Sequence, residues 1–423
     1  MNSRTVAATI VLALALPSGV LAVSLELGGP TGPEGARISR DATVAVYAGA
    51  ADGQTVLLTE VGATAPGGGF FSELGVPSIT PDGRILFAAE VADEKEHVHW
   101  DIFSAFPNAA PNNRVVRALA PRTQGTSCSP NFKGDPYPVG DALGEIAFMA
   151  PEASGHDALF LSNSSGSMRC LARVGDHTAA SNELAVLGFG TAQMGESGHV
   201  VFNGWLNGDR QALLIASVVG GIRELAVEGS FGPNHVKYAR PFSLPAAVAS
   251  SGVSNGSMVA FTAHTSSGAA LFLYRDGSMA RALPTGTLSP LGPVTYLSTG
   301  RPGLNGDGTI AVLAGCARVP AVFQLIHGHL DLSLQRGQVT PYGTELVALG
   351  DPALTESGTM YLGAIDSEDN EKLYIMGGDH ALFEAGVPPI YNIAFSPDEH
   401  HHSIFTGTLA VNQHGEFAYL GGR

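Results

Sequence analysis

A short unit recurs along the whole chain, and it constrains the fold more than any other feature. Its clearest copy is residues 298–314. A Gly- and Pro-containing lead-in enters a polar turn that ends at Gly308, and the apolar run Ile310-Ala311-Val312-Leu313-Ala314 follows. Eight copies align, their turns ending at or near Ala42, Gly83, Gly144, Gly198, Gly256, Gly308, Gly358 and Gly415. Four residues beyond the turn stand Val46, Phe87, Phe148, Phe202, Phe261, Val312, Leu362 and Tyr419. Two residues beyond it, large apolar groups also recur, from Val44 and Ile85 to Phe417. The position between is apolar and mostly small, as in Ala45, Ala147, Ala260, Ala311 and Ala418. Side chains alternate across a strand, so this strand is apolar on both faces and must lie between two layers.

Each copy carries two further elements. One is a strand such as Ile102-Phe103-Ser104, Leu159-Phe160-Leu161 or Leu373-Tyr374-Ile375. The other ends at a Gly or Pro, as in Leu171-Ala172-Arg173-Val174-Gly175 and Ala280-Arg281-Ala282-Leu283-Pro284. With the inner hairpin this makes four strands per unit. The units repeat every 41 to 61 residues or so, near the period of propeller blades. The chain is therefore expected to be all-β, a β-propeller of four-stranded blades. The copies favour eight blades, the first outer strand being Val23–Leu27 and the termini pairing to close the ring. The count is seven if residues 37–63 instead supply the outer strands for the last copy.

The turn pattern Asn-x-x-Gly-x-x-Ala-Phe resembles the tandem NxxGxxAF-repeat proteins of bacteria. Leu304-Asn305-Gly306-Asp307-Gly308-Thr309-Ile310-Ala311-Val312 is the nearest copy, and Ile146-Ala147-Phe148 and Val259-Ala260-Phe261 keep the Ala-Phe pair. Leu171–Asp176 and Ala65-Pro66-Gly67 match the family's second element. The resemblance implies a propeller-like exported protein of a group that is often surface-attached and largely without assigned function.

Residues 1–22 read as a signal peptide. Arg4 precedes an apolar run from Val6 to Leu16, and Val20-Leu21-Ala22 suits cleavage after Ala22. The mature domain is then 23–423, exported to the periplasm or beyond, with no stable membrane anchor. The formal net charge of −16, with no basic stripe, argues against a nucleic-acid partner. Of the three cysteines, Cys128 and Cys170 flank one copy and could bridge in an oxidising compartment; the other reading is three buried thiols.

Chemistry-bearing motifs are few. The Asp-Gly turns offer too few oxygens for calcium and read as hairpin tips. Gly252-Val253-Ser254-Asn255-Gly256 has the letters of a nucleophile elbow but no helix follows it. His97 and His99, next to Asp93, share one strand face by their spacing, and His327 and His329 have the same spacing. His400 and His402 follow Asp398-Glu399. His97, His99, His400 and His402 are the candidate metal ligands, and a divalent ion is the cofactor they would take. The favoured function is a non-enzymatic scaffold binding a protein or glycan. The alternative is a hydrolase or lyase at the central funnel, metal-assisted if those imidazoles converge.

Overall fold

The computed structural model describes residues 44–422 apart from 51–53, 94, 96, 111–112, 120–128, 196–197, 250–256, 318, 369, 378–381 and 386–408. Strands dominate, and helical structure among the described residues is confined to short 3-10 turns such as Pro233–His235. The strands form seven antiparallel sheets, the blades of a propeller. In blade 2 the second, third and fourth strands are Ile85–Ala92, Val98–Ala105 and Val115–Leu119. The same order repeats through blade 7, with Met360–Asp366, Glu371–Met376 and Leu382–Glu384.

Blade 1 is built from both ends of the chain. Ala410–Val411 and Phe417–Gly422 are its first two strands, and Val44–Gly49 and Thr55–Glu60 its third and fourth. The ring therefore has seven blades, not the favoured eight, and Val44–Gly49 and Thr55–Glu60 play the part that the alternative count gave to residues 37–63. The reason lies in register. Tyr47 faces Tyr419 across the ladder, as Phe103 faces Phe87 and Phe160 faces Phe148. Val44–Gly49 is thus a third strand, although its alternation resembles that of a second strand. Val23–Leu27 lies outside the described residues.

The core divides into seven apolar clusters, one at each junction between neighbouring blades. Alternation explains this. Ile85 and Phe87 pack toward blade 1, while Leu86 and Ala88 pack toward blade 3. Ala147 and Phe148 divide in the same way between blades 4 and 2. The small residue lets adjacent sheets approach, and the aromatic fills the other side. Phe87, Phe148, Phe202 and Phe261 are all fully buried; each contributes roughly 2–3 kcal/mol by burial.

Among the described residues the inner turns end in a glycine with positive φ, as at Gly83 (80°), Gly308 (93°) and Gly415 (83°). The polar residue that opens the turn holds it shut. Asp141 Oδ1 accepts the N–H groups of Leu143 (2.9 Å) and Glu145 (2.8 Å), and Asn412 Oδ1 those of His414 and Glu416 (both 3.0 Å). Asp307 accepts the N–H of Thr309 (2.7 Å), so its carboxylate serves the turn.

Candidate functional site in the inner ring

The first strands of consecutive blades touch one another in a closed circuit, running from Ser78–Ile79 through Leu346–Leu354 to Ala410–Val411 and back. In blades 2, 4, 5 and 6 this strand comes in two pieces. In blade 2, Phe70–Leu74 pairs with the far end of the second strand and Ser78–Ile79 with its near end. In blade 7 the two pieces join in Leu346–Leu354, with a register shift between Leu349 and Pro352. The sequence explains the break. Pro77, Pro138, Pro245, Pro302 and Pro352 are buried at this position, and proline has no N–H for the ladder. Blade 5 fills the gap with a hydroxyl: Ser243 Oγ accepts the N–H of Thr262 at 2.8 Å. Blade 4, without the proline, uses Thr191 Oγ1 to accept the N–H of Asn203 at 2.9 Å.

These breaks place polar and aromatic groups at the junctions between blades. Asp135 of blade 3 accepts the N–H of Val76 from blade 2 (3.3 Å) and that of Tyr137 (2.8 Å). Burial pushes its carboxyl up to about 6; the two N–H groups oppose the shift and the charge of Glu73 adds to it. Tyr137 has φ of 48° and remains 37% exposed, with its ring against Gly190 of blade 4. Burial raises the Tyr137 hydroxyl, and Asp135 and Glu73 reinforce the rise.

Blades 6 and 7 repeat the arrangement. Asp351 accepts the backbone N–H of Arg301 (3.1 Å) and the hydroxyl of Ser298 (3.2 Å). Burial again lifts its carboxyl to about 6, against the pull of those two donors and the Arg301 charge. Arg301 itself is pushed down to about 10 by burial, with Asp351 acting the other way. Crowding by neighbouring strands thus outweighs pairing in both carboxyls.

The histidines singled out from the sequence sit elsewhere. His97 is exposed in the hairpin before the third strand of blade 2, its Nδ1 3.1 Å from Asp93 Oδ2. Asp93 is held below its ordinary value, chiefly by the backbone N–H of His97. His99 faces another carboxylate: its Nε2 is 3.3 Å from Asp101 Oδ2, which Arg117 Nε also meets at 2.9 Å. His97 and His99 therefore each engage a separate carboxylate. His400 and His402 lie outside the described residues. Among the described residues, no group of three or more His, Cys, Asp or Glu could hold a metal ion. His327 and Gly328, both with positive φ, form a hairpin turn.

Sequence reasoning missed the inner-strand break and its carboxylates, although Gly75-Val76-Pro77 and Gly300-Arg301-Pro302 repeat in the text of the chain. It also missed the use of the Arg in the outer strand. Arg117 pairs with buried Asp101, and Arg173 with buried Glu152 (3.3 Å). In both, the outer strand is stapled to a hairpin of its own blade. Cys170 is disulfide-bonded and Cys316 is a free, buried thiol; Cys128, its expected partner, lies outside the described residues.

Seven four-stranded blades, closed by strands from both ends, define the protein as a β-propeller with a varied inner ring. Residues 35–374 match the family of unknown function DUF7453, and the chain belongs to that family. Curated proteins give no match. Among solved structures, the chain is similar to the β-propeller domain of the Trilobed protease from Pyrococcus furiosus (11% identity, TM-score 0.42, covering 78% of this chain and 90% of that one). It is also similar to Pyrococcus horikoshii acylaminoacyl peptidase (10% identity, TM-score 0.43, 78% of this chain), of which it spans about half the length, 48%. A third is a mutant of the Aleuria aurantia lectin AAL (11% identity, TM-score 0.33, covering 75% and 96%). At these identities the likeness concerns the fold alone. No helix among the described residues is long and apolar enough to cross a membrane.

Proposed function

We propose that the protein is an exported binding protein that takes a glycan or protein partner at its inner ring. The carrying observation is that Asp135 and Tyr137 of blade 3, Arg301 of blade 6 and Asp351 of blade 7 all stand at the same place in the first strand of their blades. The rest of each blade repeats one plan. Tyr137 offers a half-open aromatic face, suited to stacking on a sugar or a side chain. The disulfide at Cys170 supports export, because such bonds persist in oxidising compartments. The Asn-x-x-Gly turns support kinship with the exported NxxGxxAF-repeat proteins. A glycan array and a pull-down with the full chain test this reading. Binding weakened at least tenfold by Tyr137→Ala upholds it; no ligand, or binding indifferent to Tyr137→Ala, overturns it.

A second reading has one observation in its favour. A carboxyl raised to about 6 beside a tyrosine is a plausible general acid, so Asp135 could serve a hydrolase or lyase. Turnover of any polysaccharide or peptide, abolished by Asp135→Asn, would establish it.

A further inference from the structure

Arg301 is anomalous among the arginines of this protein. Several arginines have an Nε buried from solvent without a hydrogen bond. Arg84, Arg114 and Arg281 compensate through a terminal nitrogen, to Asp141 O (3.3 Å), Leu57 O (3.3 Å) and Ser267 Oγ (3.0 Å). Arg173 is paired with Glu152. Among the described residues the Arg301 guanidinium has neither a hydrogen bond nor an ion pair; only its backbone N–H is engaged. Asp351 is close enough for the two charges to act on each other. Its oxygens accept instead from the Ser298 hydroxyl, at Oδ1, and from the Arg301 backbone, at Oδ2.

Arg301 is only partly buried, so its Nε is enclosed without a partner while its terminal nitrogens, which no group among the described residues meets, stay open to a ligand. Its planar fork is shaped for the two oxygens of an anion. Two facts narrow the anion. The chain carries a formal net charge of −16, which repels polyanions at long range. Asp351 places a further negative charge beside the site, which penalises a doubly charged phosphate more than a singly charged group. We infer that Arg301 is the anion-binding group of the inner ring and takes the carboxylate of a singly charged ligand. This rests on the binding reading above and specifies its chemistry. A uronic acid and the carboxyl end of a peptide both carry that group.

The test is calorimetric titration of the full chain with three probes: glucuronate, N-acetylglycine and glucose. Arg301→Gln, Arg301→Met and the control Arg275→Gln are titrated alongside. The expected result is saturable binding of one acid but not of glucose. Arg301→Gln should weaken it at least tenfold and Arg275→Gln should leave it unchanged. The acid that binds identifies the source. Arg301→Met should melt higher than the parent, because it removes a buried Nε–H that has no partner. The inference is overturned if neither acid binds, if binding ignores Arg301→Gln, or if Arg301→Met melts lower, the mark of a structural role. If a neutral glycan binds and is lost with Tyr137→Ala alone, the Arg301 assignment fails while the binding reading stands.

Discussion

Asp351 of blade 7 holds the backbone N–H of Arg301 in blade 6 at 3.1 Å, just as Asp135 of blade 3 holds that of Val76 in blade 2 at 3.3 Å. In both places a glycine precedes the held residue and the carboxylate lies against it. A Cβ on Gly300 would collide with Asp351, and one on Gly75 with Asp135. Two blade junctions therefore share one clasp, made of Gly-x-Pro on one side and an aspartate on the other.

Gly300→Ala and Gly75→Ala should each destabilise the protein by about 1–3 kcal/mol, the usual penalty of overpacking. Pairing Gly300→Ala with Asp351→Ala should cost less than the sum of the two, since the clash vanishes with the carboxylate. Urea titrations of the four proteins measure this; strict additivity would mean the contact is absent.

The clasps also predict a pH response. Both carboxyls titrate near 6 in the folded protein, against 3.8 as the ordinary value. Between these values the folded chain holds more protons than the unfolded one, so the contribution of these groups to stability falls as pH rises. The cost is absent below about 3.8 and complete above about 6. The stability of Asp351→Asn relative to the parent should therefore rise from pH 4 to pH 6 and be flat beyond. Denaturation midpoints across that range supply the comparison, and a flat difference throughout would contradict the burial argument.

Closure of the ring rests on Tyr47 and Tyr419, whose rings stack at 5.3 Å although 372 residues separate them in sequence. A double-mutant cycle with Tyr47→Ala and Tyr419→Ala should give a coupling of about 0.5–1.5 kcal/mol. Zero coupling would count against seven blades closed by these strands.

Much of the fold was legible because its causes are local. A glycine at Gly308 or Gly358 is required for positive φ, and the alternation around Phe148 or Phe261 follows from burial on both faces. Blade number was harder to read. Val44–Gly49 has the period and composition of any buried strand, and only its pairing with Phe417–Gly422 shows it to be a third strand. The inner-strand break was hidden for another reason. Gly75-Val76-Pro77 reads as a loop, and nothing in its letters says that strand resumes on both sides or that Asp135, some sixty residues on, reaches back to it. Pairs such as His97 and His99 look like ligands from spacing alone; each meets its own carboxylate, which spacing does not reveal.

Peptide mapping without reduction should find Cys170 linked to Cys128 and Cys316 unmodified. Cys316 is fully buried and should react with an alkylating agent only after unfolding. Reducing the bridge should lower the melting temperature, as loss of a disulfide typically removes about 2–4 kcal/mol. A free thiol at Cys170 in protein purified from an oxidising compartment would contradict the bonded state.

The central claim is that the inner ring is the ligand-binding surface. Hydrogen exchange of the full chain, with and without the best ligand from the array, tests it most directly. The account predicts added protection at the first-strand breaks, residues 73–78, 135–139, 298–303 and 349–353, with the outer strands unchanged. Protection confined to the outer strands, with the breaks unaffected, would contradict it.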